Sequence, residues 1–85
     1  MMQIDLDLRK MTERMTAQEA LRTALSACGY EGSTLDALHD KLTELNDTLI
    51  VLYGARDCDG YARRVLNVVL DSAMENYGLT LRFGL

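Results

Sequence analysis

With 85 residues, of which 48% are hydrophobic and 26% charged, the chain has the make-up of one globular domain spanning 1–85 and is too short for a second core. The 13 acidic and 9 basic residues give a formal charge of -4, the wrong sign for neutralising phosphates, so nucleic acid is not expected as a ligand and a basic partner is. No uninterrupted apolar run of about 18 residues occurs and the first 15 residues are charged, so the sequence suggests neither a membrane span nor a signal peptide and predicts a cytoplasmic protein.

The cysteines, Cys28 and Cys58, have no CxxC spacing. They are read as two free thiols, with Cys28 buried as a small hydrophobe.

Met2 to Leu8 alternates apolar and polar residues with the period of a strand that buries one face. Thr16-Ala17-Gln18-Glu19 has the form of a capping box, followed by Leu21, Ala24, Leu25 and Cys28 at helical spacing, with Gly29 placed to stop the run. A first helix is therefore predicted over Ala17 to Cys28. After a short turn, Ser33 or Thr34 can cap a second helix with the stripe Leu35, Leu38, Leu42 and Leu45, ending near Asn46.

Thr48 to Tyr53 is a continuous β-favouring run, as in a central parallel strand covered on both faces. Gly54 to Asp57 reads as a loop. Tyr61, Val65, Val68, Val69 and Ala73 then mark a third helix that stops near Asn76 to Gly78, and Leu79 to Phe83 a last strand. The order β-α-α-β-α-β, without hairpin signals, predicts an α/β fold with a three-stranded parallel sheet and right-handed helical crossovers.

Asp36, His39 and Asp40 stand at i, i+3 and i+4 on the second helix, on the face opposite its leucines. Two carboxylates one turn apart repel each other, which a solvated face tolerates and a cationic partner would relieve. The same three residues lack the fourth ligand of a metal site, and no HExxH or Cys/His pattern supplies it, so no metal and no cofactor is expected. A His39 dyad with either aspartate would still need a nucleophile and an oxyanion site in a pocket, for which so short a chain leaves little room, so no enzyme is expected. Asp57-Cys58-Asp59-Gly60 lacks the oxygen ligands of a calcium loop, and either aspartate is read as a helix cap; Gly54-Ala55-Arg56 carries too few glycines for a phosphate loop.

The run from Tyr30 to Thr43, with the pattern Tyr-x-Gly-x-x-Leu-Asp-Ala-Leu-x-Asp-x-Leu-Thr, resembles the barstar family of intracellular ribonuclease inhibitors. The β-α-α-β-α-β frame extends the resemblance over nearly the whole chain. In that family the turn before the second helix and the helix's exposed face enter the nuclease active site, where the second aspartate takes the place of a substrate phosphate. The resemblance thus implies an immunity protein, monomeric when free, whose partner is a cognate ribonuclease encoded with it as a toxin and antitoxin. It implies contacts from Tyr30, Gly32, Leu35, Asp36, Asp40 and Thr43, from Thr34 and His39 where the family pattern carries other residues, and from Asp71 on the third helix. Glu31 departs from the pattern as well, and the short connection from Tyr53 to Val65 implies that a further helix of the family is reduced or missing here.

Overall fold

The computed structural model describes residues 1–84. Three parallel strands form its one sheet: β1 (Met2–Asp7), β2 (Thr48–Tyr53) and β3 (Leu79–Phe83), in the order β1-β2-β3. Three helices connect them: α1 (Arg14–Ala24), α2 (Leu35–Glu44) and α3 (Gly60–Glu75). The predicted topology and the central place of β2 are both found. One helix alone joins β2 to β3, in line with the shortened connection.

Because both crossovers step the same way across the sheet, right-handedness sends all three helices to one face. The core lies between them: Ile4, Leu6, Ile50 and Leu52 from the sheet meet Leu21, Leu38, Leu42, Val65 and Val69 from the helices. Alternate residues of β2, Leu49, Val51 and Tyr53, lie outside this core. The expectation that β2 is covered on both faces is thus corrected: helices cover one, and on the other Val51 is 3% exposed while Leu49 and Tyr53 are half-buried.

Local departures have local causes. The first helix begins three residues earlier than predicted, with Ala17 N–H bonded to the Glu13 carbonyl at 2.9 Å, so Thr16 lies inside it and its hydroxyl donates back to that carbonyl instead of forming a capping box. Its last predicted turn tightens into a 3-10 segment, Ser26–Cys28, before Gly29 takes the left-handed φ of 77° anticipated for the stop. Cys28 is half-buried, not buried, with its thiol against Met2 Sδ at 3.7 Å, and both cysteines are free. β1 ends at Asp7, whose carboxylate accepts from Arg9 N–H and caps a 3-10 turn over Leu8–Lys10. Asp59 holds the cap position of α3, but its side chain bonds none of the helix's amides.

Candidate functional site

The site is built on α2. Thr34 is its cap: its hydroxyl accepts from Ala37 N–H at 3.1 Å, which decides between the two residues that the sequence offered. Leu38 and Leu42, both fully buried, fix the helix's rotation about its axis, and α2 packs against α3. The opposite side is thereby turned to solvent, and Asp36 and Asp40 are both exposed.

The two aspartates have different surroundings. Asp36 lines a cleft of about 270 Å³ together with Arg14, Thr34, Tyr61 and Arg64. Asp40 stands a turn further along, outside that cleft. Among the described residues neither carboxylate has an ion-pair partner within 4 Å.

His39 does not project freely beside them. Its Nε2 pairs with Glu75 Oε2 at the end of α3, with side-chain exposures of 36% and 58%. The imidazole therefore ties the acidic helix to α3 and adds a carboxylate, Glu75, to the same surface. Asp71 is exposed one turn before Glu75. Thr43 is half-buried and its hydroxyl donates to the Asp40 carbonyl at 3.0 Å, while Leu35 is half-buried against the core.

Tyr30 is placed differently from a surface contact. It is 4% exposed, its Oη donates to Gln18 Oε1 at 2.7 Å and lies 3.3 Å from the Thr34 carbonyl. Gln18 Nε2 in turn donates to Tyr61 Oη at 2.8 Å, so one buried amide joins α1, the turn and α3. Burial pushes the Tyr30 phenol above its ordinary range, which keeps it a donor. Gly32 completes the turn: a Cβ there would stand 2.6 Å from Ala37 Cβ and 2.7 Å from the Tyr30 ring. Arg22 Nη1 donates to the Gly32 carbonyl at 3.0 Å.

Three positioning residues escaped the sequence reading. Gln18 has a usable signal, since it lies within the apolar stripe of α1 and is 2% exposed. Asn76, read only as a helix stop, donates to the Leu42 and Leu45 carbonyls at 3.0 and 2.7 Å and so caps the end of α2 from the end of α3. Nothing in the sequence marks that pairing, or that of Arg22 with Gly32.

The arrangement offers acceptors and negative charge on a rigid helix. Among the described residues no three His, Cys, Asp or Glu side chains are placed to hold a metal ion. An apolar hollow of about 620 Å³ beside Leu66, Leu70 and Phe83 lies at the strands' carboxyl ends, but a sheet ordered β1-β2-β3 has no topological switch point there. Arg9, on its rim, is already committed to Asp7 through two bonds.

The sequence model of the family described as Barstar (barnase inhibitor) matches residues 1–83. The chain belongs to the barstar family. A comparison with curated proteins returned no match. Barstar-family proteins are inhibitors and not enzymes, and as a group they bind a ribonuclease. The barstar fold accounts for the α/β architecture found here, with its three parallel strands and three helices. No helix of the described residues is long and apolar enough to cross a membrane.

Proposed function

We propose that this protein is a cytoplasmic immunity protein that blocks the basic active site of a cognate ribonuclease with the acidic face of α2. The observation that carries this reading is the pair Asp36 and Asp40: both exposed, neither ion-paired among the described residues, on a helix held by Leu38, Leu42, Thr34 and Asn76. Ribonuclease sites gather Arg, Lys and His to bind phosphate and to stabilise charge that develops in the transition state. Carboxylates fixed on a helix meet those cations with hydrogen bonds of the same kind and offer no bond to cleave. Because the helix is ordered before the encounter, little conformational entropy is lost on docking.

Asp40 takes the place of the substrate phosphate, and Asp36, His39, Thr43 and Asp71 line the contact around it. Gly32, Thr34 and Leu35 shape the turn and helix start that enter the cleft, and Tyr30 supports them from beneath.

The test is capture of the partner from the source cell with this protein as bait, followed by a ribonuclease assay of the captured protein with and without the bait. A captured ribonuclease that the protein silences is the expected result. A basic partner without nuclease activity would overturn it in favour of a regulatory or scaffolding module.

A further inference from the structure

The start of α2 is bordered by basic residues. The cleft of about 270 Å³ beside Asp36 is lined from three elements: by Arg14 at the start of α1, by Thr34 and Asp36, and by Tyr61 and Arg64 on α3. Two arginines against one aspartate leave it with a surplus positive charge, in a chain whose net charge is -4. Arg14, Asp36 and Arg64 are all exposed, and among the described residues none of them has an ion-pair partner within 4 Å, each other included. Arg14 is badly placed for its own helix, because a cation at a helix start opposes the macrodipole and α1 has no acid in its first turn to offset it. Arg64 is held in place: its guanidinium carbon lies over the Tyr61 ring, 5.7 Å from the centroid, and Tyr61 Oη accepts from Gln18 Nε2 at 2.8 Å.

We infer that this cleft receives a carboxylate side chain of the protein that docks on α2, so that the contact surface joins an acidic stretch at Asp36 and Asp40 to a basic end at Arg14 and Arg64. The inference rests on the reading of α2 as the contact face, since Thr34 and Asp36 belong to both. One carboxylate neutralises the one surplus charge, and its two oxygens match the planar fork of a guanidinium. A polyanionic nucleic acid would instead meet the repulsion of the whole acidic chain. Opposite charges side by side on one surface fix the direction in which a partner lies along α2 and reject a basic surface that lacks the acid. The partner's chemistry is thereby narrowed to a cationic cleft bordered on one side by an Asp or Glu.

Charge reversal separates this local contact from the attraction exerted by the whole chain. A more acidic chain is drawn more strongly to a basic partner, so Arg63→Glu, exposed beside Arg64 on α3 and outside the cleft, should bind the partner captured from the source cell as the parent does or more tightly. Arg14→Glu and Arg64→Glu make the same change in charge and should each weaken binding at least about 5-fold, measured by calorimetry at about 0.15 M salt. Arg14→Glu puts an acid at the start of α1, which favours the helix, so its weaker binding does not come from unfolding. In Arg64→Lys, zero-length carbodiimide coupling should join the introduced amine to an Asp or Glu of the partner, located by mass spectrometry.

Binding unchanged or tightened in either cleft variant, an equal loss in Arg63→Glu, coupling to no acid of the partner, or no retained partner would overturn the inference. So would single-stranded RNA bound by the isolated protein and released by Arg14→Glu, which would make the cleft a nucleic-acid site. A retained partner without nuclease activity that still loses the two cleft variants would leave this inference standing and remove the ribonuclease.

Discussion

Tyr30 Oη donates to Gln18 Oε1 at 2.7 Å, and this bond closes the turn before α2 onto α1. Removing the hydroxyl leaves the ring's packing intact and strands a buried acceptor. Tyr30→Phe should therefore cost about 1–3 kcal/mol, lowering Tm by at least about 4 °C in a domain of this size. Calorimetry measures it. An unchanged midpoint would mean that Gln18 finds another donor and that the bond does not hold the turn.

Gly32 has no room for a methyl group. The atoms that a Cβ would meet belong to Ala37, on α2, and to the Tyr30 ring, neither of which is a flexible chain end. Gly32→Ala should destabilise by about 1–3 kcal/mol and shift the turn, weakening partner binding along with stability. Ser33→Ala, exposed in the same turn and not the cap of α2, is the control and should melt as the parent does.

The two aspartates should be unequal. Asp40→Ala is expected to weaken inhibition of the cognate nuclease by at least about 30-fold, since its carboxylate would leave buried cations underpaired. Asp36→Ala should cost less, because in the proposed complex Asp40, and not Asp36, takes the place of the substrate phosphate. Asp5→Ala, on the other side of the sheet, should not affect inhibition. Melting curves accompany the assays. An Asp40→Ala variant that inhibits as the parent does would end the acidic-plug mechanism.

Association with that nuclease should slow steeply as salt rises, while dissociation changes less, because long-range attraction acts before contact. Stopped-flow mixing at low and high ionic strength separates the two rates. An association rate indifferent to salt would point to an apolar interface.

The Arg9 guanidinium beside Asp7 holds its carboxyl below the ordinary carboxylate value. A folded-state pKa depressed in this way contributes stability that is fully present above about pH 5, beyond the unfolded value near 3.9, and is lost as pH falls through the folded pKa. Arg9→Ala should therefore lower Tm slightly at neutral pH and leave it equal to the parent's in strong acid. Melting temperatures across that range show it, and a difference that grows towards acid pH would have the wrong sign.

Periodicity alone was enough for the frame. β3 was legible to the residue and β2 likewise, because runs of β-favouring side chains end where Gly, Asp or Asn permit a turn. The rotation of α2 was legible too, since the leucines that must be buried also dictate which residues cannot be, and Asp36 and Asp40 follow from that. What sequence left open were choices between equivalent local signals. Ser33 and Thr34 were both candidate caps of α2, and the bond from Ala37 N–H to the Thr34 hydroxyl decided for the second, while the capping box read at Thr16 gave way to a start at Arg14.

Only the tertiary structure could set Tyr30 under the turn instead of on it, or turn His39 towards Glu75, 36 positions away in the chain. Both outcomes depend on which helix lies across from which, and a single helix's periodicity contains no information about its neighbour. The sheet face without helices has the same origin. A central β-run needs cover on two sides, but whether the helices supply both follows from the direction in which each crossover steps, and in this fold they step the same way.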